Sequence, residues 1–199
     1  MIRPPRRALV GPSGSGKSTL LNCLGLLDTA SSGAIRHEGR DITGFGPRAS
    51  RHYRRDVLGH LFQHYALIEN ATVAANLEVA MKPRRKRADA PTVTGALERV
   101  GLVGREKEQV HRLSGGEQQR VALARLIVKQ PALVLADEPT GALDHDNTNL
   151  VVDILRAMSE DGCAVVIATH NDAVRDRCDT VLTVGTTAQP EPVQGRQHA

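Results

Sequence analysis

The sequence predicts an α/β fold: a parallel sheet flanked by helices, with a helical segment inserted into it. Three observations predict it. Short apolar runs at 8–10, 57–62, 132–136 and 164–168 are nearly continuous, as strands buried on both faces of a parallel sheet require. Between them lie stretches with apolar residues at helical spacing, and strands that alternate with helices build parallel sheets. From 72 to 130 the pattern becomes mostly helical. The expected organisation is one domain over 1–185, with its core in 1–63 and 130–185 and a helical subdomain in 64–129. A polar tail with Pro190 and Pro192, over 186–199, reads as flexible. A chain of 199 residues suffices for one such core.

Each element has its own signal. Ala8, Leu9 and Val10 form a short buried strand that runs into a glycine-rich loop. A helix from 17 to about 27 places Leu20, Leu21, Leu24 and Leu27 toward the core. Ser31, Ser32 and Gly33 make a turn, and 34–42 reads as two short extended pieces broken at Gly39. An Arg-rich helix over 47–55 precedes the strand 57–62, which ends at Gln63. Thr72 can cap a helix over 73–81. Pro91 or Thr92 opens another, with Val93, Ala96, Leu97 and Val100 on one face and Gly101 past its end. The clearest helix covers 114–129. Leu150, Val151, Ile154, Leu155 and Met158 mark a helix closed by Gly162. A short helix over 171–178 and a last strand over 180–184 complete the domain.

Composition narrows the class. Phe45, Phe62, Tyr53 and Tyr65 are the only large aromatics, so the core is aliphatic. The net charge of +4 suits nucleic acid, an anionic membrane surface, or no particular partner. Cys23, Cys163 and Cys178 show no paired spacing, which points to reduced thiols in a cytoplasmic protein and away from zinc. No run reaches the roughly 18 apolar residues of a membrane span, and no apolar segment follows the basic N-terminus as in a signal peptide. At a membrane, a partner would have to hold this protein. The basic run 82–87 reads as solvated surface, with anionic lipid headgroups as the functional alternative. Nucleic acid is disfavoured there because no aromatics interleave with the charges.

Gly11-Pro12-Ser13-Gly14-Ser15-Gly16-Lys17-Ser18, followed by Thr19, meets the spacing of a phosphate-binding loop. Glycines let successive N–H groups turn inward around an anion, and the following helix directs its positive end at it. Lys17 is placed to reach the β- and γ-phosphates and the Ser18 hydroxyl to ligate Mg²⁺. Asp137 and Glu138 follow an apolar strand directly. Beside a phosphate loop, Asp137 suits Mg²⁺ coordination and Glu138 could polarise a water, although acidic pairs at loop starts are common. Ser114 and Glu117 have the spacing of a capping box. Gly115 and Gly116 do not fit that purpose, since glycine weakens a helix, but bare N–H groups at a helix start suit a phosphate. The loop, Gln63, Asp137 and His170 each follow a predicted strand end, so they can share one site. His170 alone would read as a core histidine.

These segments together resemble the ATP-binding cassette (ABC) ATPases. Leu-Ser-Gly-Gly-Glu-Gln-Gln-Arg at 113–120 is similar to their signature motif, 11–18 to Walker A and Gln63 to the Q-loop residue. The stretch 133–138 is similar to Walker B, 141–144 to the D-loop, and His170 to the switch histidine. The resemblance covers about 8–184. Finer likeness at 25–28, 62–68 and 136–141 points to the group serving lipoprotein-releasing, macrolide-export and bacteriocin-export permeases. It implies a P-loop NTPase with a RecA-like parallel sheet core and an inserted α-helical subdomain. It also implies a head-to-tail homodimer with two ATP molecules, each held between residues 11–19 of one copy and Ser114, Gly115 and Gly116 of the other. Asp144 would lie at the dimer seam, Gln63 at Mg²⁺ or the attacking water, and His170 at the γ-phosphate. The implied partner is a separate integral-membrane permease, and the implied place the inner face of the cell membrane. Soluble ATPases of this class that act on DNA or ribosomes carry coiled-coil or zinc inserts or a second cassette, none of which stands here.

The resemblance also exposes a departure. Relatives carry a longer segment before the loop, whose antiparallel strands supply an aromatic that stacks on adenine; here those strands are largely missing. The alternative reading is therefore an N-terminally truncated, weakly active or non-catalytic copy. Base stacking contributes on the order of 1–3 kcal/mol. Titration should accordingly show weaker ATP binding and less ATP-over-GTP discrimination than in a relative with that aromatic, and equal affinities would contradict this.

Overall fold

Alternate side chains of each apolar run go to opposite faces of one sheet. In the computed structural model, residues 4–81, 91–140, 145–185 and 191–192 are described, with the backbone alone at 145–146 and 191–192. In chain order the elements are β1 (Arg6–Val10), α1 (Lys17–Leu24), β2 (Arg36–His37), β3 (Arg40–Asp41), α2 (Pro47–Asp56), β4 (Leu58–Leu61), α3 (Val73–Glu78) and α4 (Val93–Arg99). Then come α5 (Gly115–Lys129), β5 (Leu133–Asp137), α6 (His145–Glu160), β6 (Ala164–Ala168), α7 (Asp172–Arg175), β7 (Thr180–Thr183) and β8 (Glu191–Pro192). A 3₁₀ turn, Val110–Arg112, precedes α5.

The main sheet has the order β4-β5-β6-β1-β7-β8, with β4 to β7 parallel and β8 antiparallel to β7. Ala8, Leu61, Val134, Ala136, Val165 and Ile167 face one side, in a cluster with the apolar residues of α3, α4, α5 and α6. Leu9, Leu58, Leu133, Leu135 and Ala168 face the other, against Leu21 of α1 and Tyr53 of α2. Burial on both faces explains why these strands read as continuous apolar runs. The inserted helices join the core through α5: Lys129 Nζ, at its end, donates to Arg54 O at 2.9 Å. The predicted caps form, with Thr72 Oγ1 accepting from Ala75 N and Thr92 Oγ1 from Gly95 N. Cys23, Cys163 and Cys178 are buried free thiols, and burial raises Cys163 to about 12 and Cys178 to about 11.

Three expectations change. The first strand is longer than 8–10. Arg6 N and its guanidinium both donate to Asp179, and Asp179 N donates back to Arg6 O, so polar residues are held in strand register. The strand lies between β6 and β7. The first helix ends at Leu24, leaving Leu27 beyond it, and Leu20 and Leu27 are exposed instead of packed in the core. Part of the tail adds a strand, β8, beside the one expected to be last. The basic run 82–87, Asp144 and the tail residues 186–190 and 193–199 lie outside the described residues.

His60 in β4 is mostly buried, stacks on Phe62 at 4.6 Å, and its Nε2 has no partner among the described residues. Burial, with Lys129 and Arg54 nearby, lowers it from 6.5 to about 4. The unfolded chain therefore binds a proton that the folded chain refuses, so stability falls as pH drops from 6.5 toward 4. Denaturant unfolding at both pH values should show His60→Gln losing less stability than the parent over this window, by on the order of 3 kcal/mol. Identical pH slopes would contradict the assignment.

Candidate functional site

The carboxyl ends of β1, β5 and β6 meet at one edge of the sheet. There a cavity of about 340 Å³ is lined by Gly11, Ser13 to Thr19, Asp137, Glu138 and His170. The loop between β1 and α1 builds its floor. Gly11, with φ of 153°, admits no side chain: a Cβ would lie 2.6 Å from Val184 O and 2.8 Å from Ser15 Oγ. Gly14, with φ of 77°, has open space where a Cβ would lie, so only its backbone conformation favours glycine. Lys17 Nζ donates to Gly11 O at 2.9 Å and Pro12 O at 3.0 Å, so the ammonium is held over the loop. Pro12 thus contributes its carbonyl and does not line the cavity. Gly16 caps α1 without a side chain, so the first-turn N–H groups of Ser18 and Thr19 face the loop unobstructed.

Asp137 ends β5 opposite Ala168 of β6. Glu138 follows in the left-handed region, with φ of 44°, and its N–H donates to Ala168 O. That turn carries its carboxylate to His170, whose Nδ1 lies 2.8 Å from Glu138 Oε1. His170 is 72 % exposed and Glu138 only 17 %, so this histidine is no core residue: it stands at the mouth over a shielded acid. Strain at a non-glycine residue in this region clusters at functional sites.

The oxygens available suit a hard cation. Ser18 and Asp137 line the same cavity, and no group of three or more His, Cys, Asp or Glu side chains able to hold a metal occurs among the described residues. A sparse oxygen set fits Mg²⁺, which keeps waters and takes phosphate oxygens, better than zinc.

Two predicted members stand apart. Gln63 is exposed beyond β4, the strand next to β5, and does not line the cavity. Ser114, Gly115 and Gly116 start α5 and are also outside it. The capping box is complete: Ser114 N donates to Glu117 Oε2 at 2.9 Å and Glu117 N to Ser114 Oγ at 3.3 Å. Among the described residues a Cβ on Gly115 would approach only Tyr65 Oη, at 4.0 Å, so none of them requires that glycine. Ser114 and Gly115 are exposed. Sequence spacing did not reveal Arg105, which binds Glu117 Oε1 at 2.7 Å from a loop without a motif.

Comparison with known proteins identifies the family of the chain. The family model described as ABC transporter matches residues 4–141. The lipoprotein-releasing system ATP-binding protein LolD 1 of Rhodopseudomonas palustris is 42% identical over 181 residues, 89% of this chain and 80% of that protein. The macrolide export ATP-binding/permease protein MacB 1/2 of Paracoccus denitrificans is 42% identical over 179 residues, 89% of this chain but 27% of that longer protein. A dimeric post-hydrolysis structure of the ATP-binding cassette MJ0796, bound to ADP and Pi, superposes with a TM-score of 0.85 at 29% identity, covering 98% of this chain and 88% of that one.

Gly11→Ala should unfold at lower temperature and bind nucleotide at least tenfold more weakly, because its Cβ meets backbone. Gly14→Ala should cost only about 1 kcal/mol of backbone strain. Melting curves with and without ATP distinguish them, and equal effects would contradict the packing described.

Proposed function

The chain belongs to the ABC transporter ATP-binding family, and from that membership we propose how its residues divide the work of an ATP-hydrolysing subunit. The observation that carries the reading is the shared cavity of loop 11–19, Asp137, Glu138 and His170. The N–H groups of Gly11, Pro12 excepted, through Thr19 cradle the phosphates, and Lys17 leaves its two carbonyls for the β- and γ-oxygens. Ser18 and Asp137, with Gln63 swinging in, hold Mg²⁺, which offsets the phosphate charge when bound. Glu138 orients the attacking water and draws on its proton; His170, bonded to Glu138, holds the γ-phosphate at the mouth.

A single chain leaves that mouth open. Ser114, Gly115 and Gly116 of a second copy close it in a head-to-tail dimer, with Asp144 at the seam. The exposed, sterically unneeded Gly115 supports this. Closure driven by ATP moves a separate integral-membrane permease, and the likeness to a lipoprotein-releasing and a macrolide-export protein favours export. No helix among the described residues is long and apolar enough to cross a membrane, in keeping with attachment to the inner membrane face through that permease. The core at 1–63 and 130–185 and the helical subdomain at 64–129 are the two bodies that closure moves.

With ATP and Mg²⁺, Glu138→Gln should accumulate a dimer on size exclusion, and adding Lys17→Ala should abolish it. A Glu138→Gln chain that stays monomeric at saturating ATP would contradict the reading.

A further inference from the structure

Helix α5 carries a carboxylate where an anion is to land. Glu117 Oε2 accepts from Ser114 N at 2.9 Å and from Ser114 Oγ at 2.8 Å. Those bonds satisfy donors at the helix start and hold Glu117 below the usual carboxylate range, so it stays charged. The same charge sits within one turn of the N–H groups that receive a phosphate, and like charges so close repel. Something must offset it if the end of α5 is to accept an anion.

Arg105 is placed to do so. It lies between α4 and the 3₁₀ turn, and its Nη2 donates to Glu117 Oε1 at 2.7 Å, the oxygen that Ser114 does not use. Its Nη1 pairs with Glu108. One guanidinium thus fixes the far side of the capping carboxylate while Ser114 fixes the near side. Arg120 also lowers Glu117 by its charge, while its Nη1 donates to Asn147 Oδ1 at 2.9 Å; Arg105 is the arginine that donates to the carboxylate itself. Arg105 is 42 % exposed, and an ion pair that open to water contributes little to folding. Its position at the base of the Ser114 turn is better explained by what that turn binds.

We propose that Arg105 is a positioning residue for the second half of the nucleotide site, orienting Glu117 and offsetting part of its charge so that Ser114, Gly115 and Gly116 can receive the γ-phosphate held by another copy. This rests on the dimer proposed above. It separates two quantities: Arg105 governs ATP-dependent association, not the affinity of one chain's own loop for nucleotide.

The test uses the Glu138→Gln chain as parent and sedimentation with ATP and Mg²⁺ as readout. Arg105→Ala should weaken the dimer at least tenfold, while melting temperature and nucleotide affinity of the monomer stay as in the parent. Arg105→Lys should retain part of the association. Adding Glu117→Gln to Arg105→Ala should restore most of it, because an amide still caps Ser114 and leaves no charge to offset; a merely structural arginine would not be rescued this way. An unweakened Arg105→Ala dimer, or a double variant no better than Arg105→Ala, overturns the proposal. A parent that does not dimerise with ATP overturns the dimer reading and this inference with it.

Discussion

Everything at this site depends on the parallel register of three strands. Leu9 of β1 pairs with Ala168 of β6, and Ala168 pairs with Asp137 of β5. The three strands therefore end level, and whatever follows each emerges at the same edge. After β1 comes the glycine-rich loop, after β5 Glu138, and after β6 His170. Thr169 N donates to Leu9 O, and Glu138 N to Ala168 O, so the ladder extends into the first residues of the site. A one-residue slip of β5 would move Asp137 away from the loop and turn Leu133 and Leu135 from one core cluster toward the other. Core packing and site geometry are thus held by the same hydrogen bonds.

In the proposed dimer the start of α5 serves two ends. Ser114 and Glu117 close a capping box, which a free helix start needs in any protein. Gly115 and Gly116 add nothing to that cap and leave the N–H groups bare. A helix built for stability alone would not place two glycines in its first turn. A helix start built to meet a phosphate would, and the exposure of Ser114 and Gly115 leaves it accessible to another molecule. In the dimer proposed above, the loop of one copy and the start of α5 of another would together enclose one nucleotide.

Much of this was legible in the sequence because the relevant signals are local. Apolar runs marked β4, β5 and β6; Thr72, Thr92 and Ser114 marked helix starts; glycine spacing marked the loop. What was not legible depended on contacts distant in sequence. Nothing in Arg6 announces a strand until Asp179 stands opposite it. Leu20 and Leu27 match a helical core face by spacing, yet α1 ends at Leu24 and the sheet does not cover them. His170 read by itself as a core residue, whereas it stands exposed beside Glu138. Gln63 follows its strand end as expected but does not line the cavity that the other strand ends share. Arg105 carried no signal, because its partner lies on another element.

That one chain holds two incomplete halves of different nucleotide sites is the central claim. Its most direct test is the rate of ATP hydrolysis per chain as the protein is diluted, with light scattering to report the association state. Two-copy sites predict a rate per chain that falls in proportion to concentration once monomers dominate. A rate per chain that stays constant through that range would mean a lone chain suffices, and would contradict the account.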